Sequence, residues 1–210
     1  MSAYSRTLRG LYAITDSQLT PEEKLLPAVE AVIRGGACLV QYRDKSNEKA
    51  RRERETRALL QLCHDHDVPL IINDDVNLAA VIGADGVHLG RDDTSFQEAR
   101  VQLGPRAVIG VSCYGSLEQA VDAVHAGADY VAFGNFFLSP TKPEAVSASL
   151  SILREARQQL NVPTCAIGGI TPDNGGIVIN AGADMLAAIS GLFAQDDIEA
   201  AARRYARLFQ

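Results

Sequence analysis

Three apolar residues, Leu70-Ile71-Ile72, run directly into Asn73-Asp74-Asp75. The apolar half reads as a strand buried on both faces, and the polar half begins where that strand ends. Adjacent carboxylates repel each other, so they need a counter-charge. Hard oxygen donors at a strand end suit Mg²⁺, with substrate phosphates completing its shell. Equally, Asn73 and Asp75 could cap a following helix and leave Asp74 in solvent. Other groups of the same kind recur along the chain. Arg43 and Lys45 flank Asp44, and Asp92 and Asp93 follow His88-Leu89-Gly90. Ser139, Pro140, Thr141 and Lys142 lie in one polar stretch, Gly168-Gly169 precedes Thr171-Pro172, and Ser190-Gly191 follows an apolar run. Cations near a metal-binding carboxylate suit a diphosphate. Glycines before a helix start offer backbone N–H groups to a monophosphate. Together these groups call for two phosphorylated substrates.

Something must gather groups so far apart in sequence. Strand candidates end near residues 15, 43, 73, 89, 112, 134, 168 and 190, with helical stretches between them. A spacing of roughly 25 residues is that of a minimal βα unit, and eight units close into a single-domain (β/α)₈ barrel over residues 1–210. A doubly wound sheet would also alternate, but no Gly-rich dinucleotide loop is present. Among the predicted helix starts, Thr20 fits an N-cap before Pro21 and Glu23, Ser116 caps with Gln119 three positions on, and Thr171-Pro172-Asp173 opens a helix. A barrel builds its active site where the strands end. Every acidic or basic group named above falls at such an end. The opposite rim receives Gly35-Gly36, Val68-Pro69, Gly127-Ala128, Val162-Pro163 and Gly182-Ala183.

The composition bounds the partners. A net charge of −6 and a pI near 5.2 exclude a general attraction to nucleic acid or an anionic membrane. Anionic ligands must be held by local cations and backbone amides. The start has no apolar stretch of signal-peptide type, and no run reaches membrane-spanning length, so the expected location is the cytoplasm. Cys38, Cys63, Cys113 and Cys165 have no paired spacing; Cys38, Cys113 and Cys165 read as small buried hydrophobes in a reducing compartment. His88 sits inside a strand and is expected to be packed and hydrogen-bonded. Homo-oligomer formation stays open, since no apolar stripe names an interface.

Over essentially its whole length the chain resembles the thiamine-phosphate synthase family. The resemblance rests on Gln41-Tyr42-Arg43-Asp44-Lys45, Asn73-Asp74, His88-Leu89-Gly90 with Asp93 following, Ser139-Pro140-Thr141-Lys142, Ile167-Gly168-Gly169-Ile170-Thr171 and Ile189-Ser190. It implies a transferase on the same barrel. A hydroxymethyl-aminopyrimidine diphosphate would lose pyrophosphate to the ring nitrogen of a thiazole phosphate, giving thiamine monophosphate. By motif match, Gln41 to Lys45, Asn73, Ser112 and Lys142 would hold the pyrimidine diphosphate, with Arg43, Lys45 and Lys142 assisting its departure. Asp74 and Asp93 would bind Mg²⁺. Ser139, Pro140, Thr141, Gly169, Ile189 and Ser190 would hold the thiazole phosphate. Ser139 stands where Thr is common in the family, and Gly191 where Ala is common. A thiazole tautomerase-like isomerase would need an acid–base group at the rim instead of this set. A silent phosphate-binding barrel would not need the set to be complete.

Overall fold

A computed structural model of the chain describes residues 8–90, 95–137 and 148–210. Among them, eight parallel strands hydrogen-bond in sequence order, and the eighth pairs with the first to close a barrel. The strands are β1 (Gly10–Ile14), β2 (Ala37–Tyr42), β3 (Leu70–Asn73), β4 (Gly86–Leu89), β5 (Val108–Tyr114), β6 (Tyr130–Phe133), β7 (Thr164–Ile167) and β8 (Met185–Ala188). Helices α1 (Glu22–Arg34), α2 (Lys49–Asp65), α3 (Val76–Ile82), α4 (Phe96–Leu103), α5 (Leu117–Ala126), α6 (Leu150–Gln159) and α7 (Gly175–Ala181) follow the first seven strands. After β8 come a four-residue helix α8 (Ser190–Phe193) and the last helix α9 (Ile198–Ala206). The (β/α)₈ barrel expected from the repeat spacing is the observed fold.

Alternate residues of each strand face opposite ways. One set fills the barrel: Tyr12, Leu39, Ile71, Val108, Tyr130, Cys165, Met185 and Ala187 form one buried cluster. The other set, including Leu11, Val40, Leu70, Ile72 and Leu186, packs against the helices. That is why these strands read as unbroken apolar runs.

A repeat unseen in the linear reading ties the strand starts together. Gly83-Ala84-Asp85, Gly127-Ala128-Asp129 and Gly182-Ala183-Asp184 precede β4, β6 and β8. Each aspartate accepts the backbone N–H at or next to the start of the preceding strand: Asp85 from Leu70 at 2.8 Å, Asp129 from Ile109 at 3.0 Å, Asp184 from Thr164 at 2.8 Å. The corresponding stretch at the start of β2 reads Gly36-Ala37-Cys38, with a thiol in place of the carboxylate. Three of the four βαβα quarters thus share one fastening.

Several helix starts differ from expectation. Thr20 does not cap α1; its hydroxyl donates to the Asp16 carbonyl at 2.9 Å, and Pro21 takes the cap position. The helix after β7 begins at Gly175, because Asn174 accepts the Thr171 N–H and closes a turn over Thr171-Pro172-Asp173. Ser116 does cap α5 by accepting the Gln119 N–H. Helix α6 starts at Leu150 with Ser149 as its cap.

Candidate active site

The loop after β2 carries Arg43, Asp44 and Lys45. Gln41 faces the barrel interior, while Tyr42, one residue on, faces the helices. The Tyr42 hydroxyl donates to Glu55 of α2 at 2.5 Å. Asp44 is also turned to that layer, where Arg51 reaches one carboxylate oxygen at 2.7 Å and the Ser46 N–H the other at 2.7 Å. Arg51 additionally binds Glu48 and Glu55, each at 3.0 Å. Burial pushes the Asp44 carboxyl up, but the Ser46 bonds and the Arg51 guanidinium more than offset this and leave it below its ordinary value. Asp44 is therefore the anchor of the loop rather than the ion partner of the cations beside it. Arg43 is held by its own N–H, which donates to Thr15 Oγ1 at 2.9 Å, and its guanidinium lies 3.7 Å from Asp16. Lys45 is exposed.

At the end of β3, Asn73, Asp74 and Asp75 divide their roles. Asp75 caps α3 by accepting the Leu78 N–H at 2.9 Å, and it pairs with Arg52 at 3.0 Å. Half of the capping interpretation is thus correct, for Asp75. Asp74 is in the left-handed backbone region at φ 62°, where a short polar residue is tolerated. Its N–H donates to the His88 carbonyl of β4 at 2.9 Å, so it stands against the end of that strand. Asp93, the other expected metal ligand, lies outside the described residues, as does Lys142. Among the described residues no three His, Cys, Asp or Glu side chains converge as a ready metal cage. The Asp74 carboxylate by itself is compatible with Mg²⁺, which is bound by one or two carboxylates with phosphates and water making up the rest.

Inside the barrel mouth, five side chains from five strands form one hydrogen-bonded chain. Gln41 Nε2 donates to the Tyr12 hydroxyl at 2.6 Å, and Tyr12 and Tyr130 hydroxyls are 2.8 Å apart. The Tyr130 hydroxyl is 2.9 Å from His88 Nδ1, and His88 Nε2 is 2.8 Å from Ser112 Oγ. His88 is hydrogen-bonded as expected. Tyr12 and Tyr130 carry no rim signature in sequence and were missed. The available signal was Gly110: a Cβ there would stand 2.0 Å from Tyr130 Cζ, so glycine makes room for the phenol to cross the barrel.

On the other side of the mouth, Gly168 and Gly169 have φ 101° and 62°, conformations that favour glycine. A Cβ at Gly168 would collide with Asn135 at 2.4 Å, which seats the chain leaving β6 against the end of β7. The Gly169 carbonyl accepts from Asn174 at 3.0 Å. Strand β8 ends at Ala188, two residues before the position 190 expected from sequence, and Ile189 and Ser190 open the short helix α8. At Gly191 a Cβ would meet the Tyr205 hydroxyl at 2.2 Å, and that hydroxyl donates to the Ile170 carbonyl at 2.8 Å. One phenol of α9 thereby braces the loops after β7 and β8 together. Ser139, Pro140 and Thr141 lie outside the described residues. Burial pushes the thiols of Cys38, Cys63 and Cys113 up to about 12, so none offers a thiolate near neutral pH.

The family model described as thiamine monophosphate synthase matches residues 11–192. A thiamine-phosphate synthase of Nitrosococcus oceani is 56% identical over 98% of this chain and 94% of its own length. One of Thioalkalivibrio sulfidiphilus is 53% identical with both chains fully covered. Among solved structures, a thiamine phosphate pyrophosphorylase from Pyrococcus furiosus superposes with a TM-score of 0.88 at 32% identity, covering 97% of this chain and 96% of that one. With the barrel, its rim and these relatives in hand, the chain belongs to the thiamine monophosphate synthase family and is a transferase of the thiamine-phosphate diphosphorylase type.

Proposed function

We propose that the chain joins the aminopyrimidine methyl diphosphate to the thiazole phosphate, with Mg²⁺, releasing pyrophosphate and thiamine monophosphate. The observation that carries this reading is the rim order. Strands β2 and β3 are hydrogen-bonded neighbours; the first runs into Arg43 and Lys45 and the second into Asp74, while Asp44 is drawn away by Arg51. A cationic face next to a metal-type carboxylate is what a departing diphosphate needs.

In the reaction, the thiazole nitrogen lone pair forms the new C–N bond as the bond from the methylene carbon to the diphosphate oxygen breaks. Its electron pair leaves with pyrophosphate. The aminopyrimidine ring can share positive charge on that carbon, which favours early departure of the leaving group. No protein base is required. Arg43, Lys45 and Lys142 hold the diphosphate and stabilise the charge that builds on it, usually the largest catalytic contribution in such sites. Asp74 and Asp93 would hold Mg²⁺, which supplies further neutralisation of that charge. Gln41, Asn73 and Ser112 face the pyrimidine. Ser139, Pro140, Thr141, Gly169, Ile189 and Ser190 receive the thiazole phosphate, whose anion meets backbone N–H groups. The free thiols, three of them buried, are compatible with a reducing cytoplasm.

Incubation of both phosphorylated substrates with Mg²⁺ should yield thiamine monophosphate and pyrophosphate in equal amounts. Loss of the product on chelation and its return with Mg²⁺ are expected. Isomerisation of a thiazole without pyrophosphate release, or binding without turnover, would reject the assignment.

A further inference from the structure

The hydrogen-bond chain across the barrel has a direction. The Tyr12 oxygen accepts the Gln41 N–H, and its own proton must find an acceptor in a fully buried place. The Tyr130 oxygen, 2.8 Å away, is that acceptor. The Tyr130 proton then goes to His88 Nδ1 at 2.9 Å. A neutral imidazole that accepts at Nδ1 carries its proton on Nε2, and this proton points to Ser112 Oγ at 2.8 Å. Ser112 is left with its own proton to give. Gln41 is left with its amide oxygen and second N–H. The groups that end the chain are thus set by the groups in its middle.

From this geometry we infer that Tyr12, Tyr130 and His88 are positioning residues, which fix the amide face of Gln41 and the hydroxyl of Ser112 presented to the aminopyrimidine. An aminopyrimidine carries ring-nitrogen acceptors and an amino donor. A serine hydroxyl held as donor and an amide held in one orientation give that edge a matched partner, and the unmatched orientation leaves buried polar groups unpaired. The inference rests on the functional reading above for the identity of the ligand, not for the direction of the chain.

The barrel is built around this arrangement. Tyr12 and Tyr130 meet edge to face with ring centroids 5.9 Å apart, and His88 stacks on Tyr130 at 5.6 Å. Gly110 leaves the space that the Tyr130 ring occupies. Burial raises both phenols above their ordinary 10.0, so each keeps the proton it passes along the chain. A hydrophobic lumen would need only two phenylalanines here; the two hydroxyls are used for the connection between Gln41 and His88.

The test uses protein labelled with ¹⁵N-histidine, with the His88 signals assigned by loss in His88→Gln. In the wild type, without substrate, His88 should be the Nε2–H tautomer. Tyr130→Phe removes the donor to Nδ1 and should release that tautomer. Tyr12→Phe leaves the Tyr130 donor in place and should keep it. Both substitutions should raise KM for the pyrimidine diphosphate roughly fivefold to tenfold, the size of one net hydrogen bond, and leave KM for the thiazole phosphate within about twofold. An Nδ1–H tautomer in the wild type, a tautomer indifferent to Tyr130→Phe, or equal damage to both substrates would overturn the inference. Absence of product from the wild type would instead overturn the functional reading, because the tautomer is measured with no substrate present.

Discussion

Asp74 and Asp75 are chemically identical neighbours with different employment. Asp75 spends its carboxylate on the α3 cap and on Arg52, whereas Asp74 sits in left-handed backbone against β4. Strained or rare backbone at a strand end is a pointer to function rather than to stability. Asp74→Asn tolerates the same backbone and should lower kcat/KM by about 10²-fold, the scale of losing one electrostatic group at a reacting centre. If Asp74 and Asp93 grip one Mg²⁺, the double variant Asp74→Asn/Asp93→Asn should be scarcely worse than either single one, and excess Mg²⁺ should partly rescue the singles. Simple additivity without rescue would dismiss the shared metal. Asp75→Ala should do the reverse: cost about 1 kcal/mol of stability, or roughly 3 °C in Tm, with the Mg²⁺ requirement unchanged. The sequence offers Asp75, together with Asn73, as a helix cap and leaves Asp74 either to solvent or to a metal. The backbone path and the position of Arg52 separate them. Tyr12 and Tyr130 were illegible for a related reason: apolar strand composition hides which tyrosines direct their hydroxyls at each other.

At the level of elements, the two rims obey different rules. The Gly-Ala-Asp stretches before β4, β6 and β8 fasten strand starts far from the mouth. Replacing Asp184 by Ala orphans the Thr164 N–H and should cost about 1–3 kcal/mol in denaturant unfolding, with both KM values unchanged. A changed KM would mean that this rim is not purely structural. The loop after β2 follows another rule, because its anchor belongs to the active rim. The folded pKa of Asp44 is depressed below the ordinary 3.8, so its stabilisation is complete above the unfolded value and disappears as pH falls through the lower folded one. Arg51→Met should therefore destabilise the protein at neutral pH by about 3 kcal/mol and much less in acid, where Asp44 is protonated, since it strands a buried carboxylate only when that carboxylate is charged. A pH-independent loss measured by unfolding would assign Arg51 to packing alone. The strands and most helices were legible from apolar runs and glycine stops. Thr20 and Thr171 misled because a threonine before a proline fits a cap equally well as a turn, and in both cases a neighbour, Asp16 or Asn174, supplies the turn. Helix α8 is too short to show a period.

Across the whole molecule, the proposed function divides the mouth into two anion sites on a chain of net charge −6. Strands β2 to β5 contribute Gln41, Arg43, Lys45, Asn73, Asp74 and Ser112, a side built from charged and polar side chains. Strands β7 and β8 contribute Gly168, Gly169, Ile189 and Ser190, a side built chiefly from backbone. A closed barrel keeps these sides apart, since each strand is locked in register with two neighbours. Damage to one should therefore spare the other. Gly169 is the best place to test this, because its φ of 62° matches that of Asp74. Asp and Asn both tolerate that conformation, so Gly169→Asn and Gly169→Asp carry similar backbone cost and differ in charge. Gly169→Asn should raise KM for the thiazole phosphate modestly, by occupying space near the backbone N–H groups. Gly169→Asp should raise it at least about tenfold further, since a fixed negative charge at 4–6 Å from an anion costs on the order of 1–3 kcal/mol at a part-exposed site. KM for the pyrimidine diphosphate should stay within about twofold in both variants. Raising the ionic strength should narrow the gap between Asp and Asn by screening, while leaving the Asn effect in place. If Asp and Asn prove equally harmful at every salt concentration, the loop after β7 shapes the barrel mouth without meeting a phosphate. If the diphosphate KM rises in parallel, the two sides of the rim do not act separately.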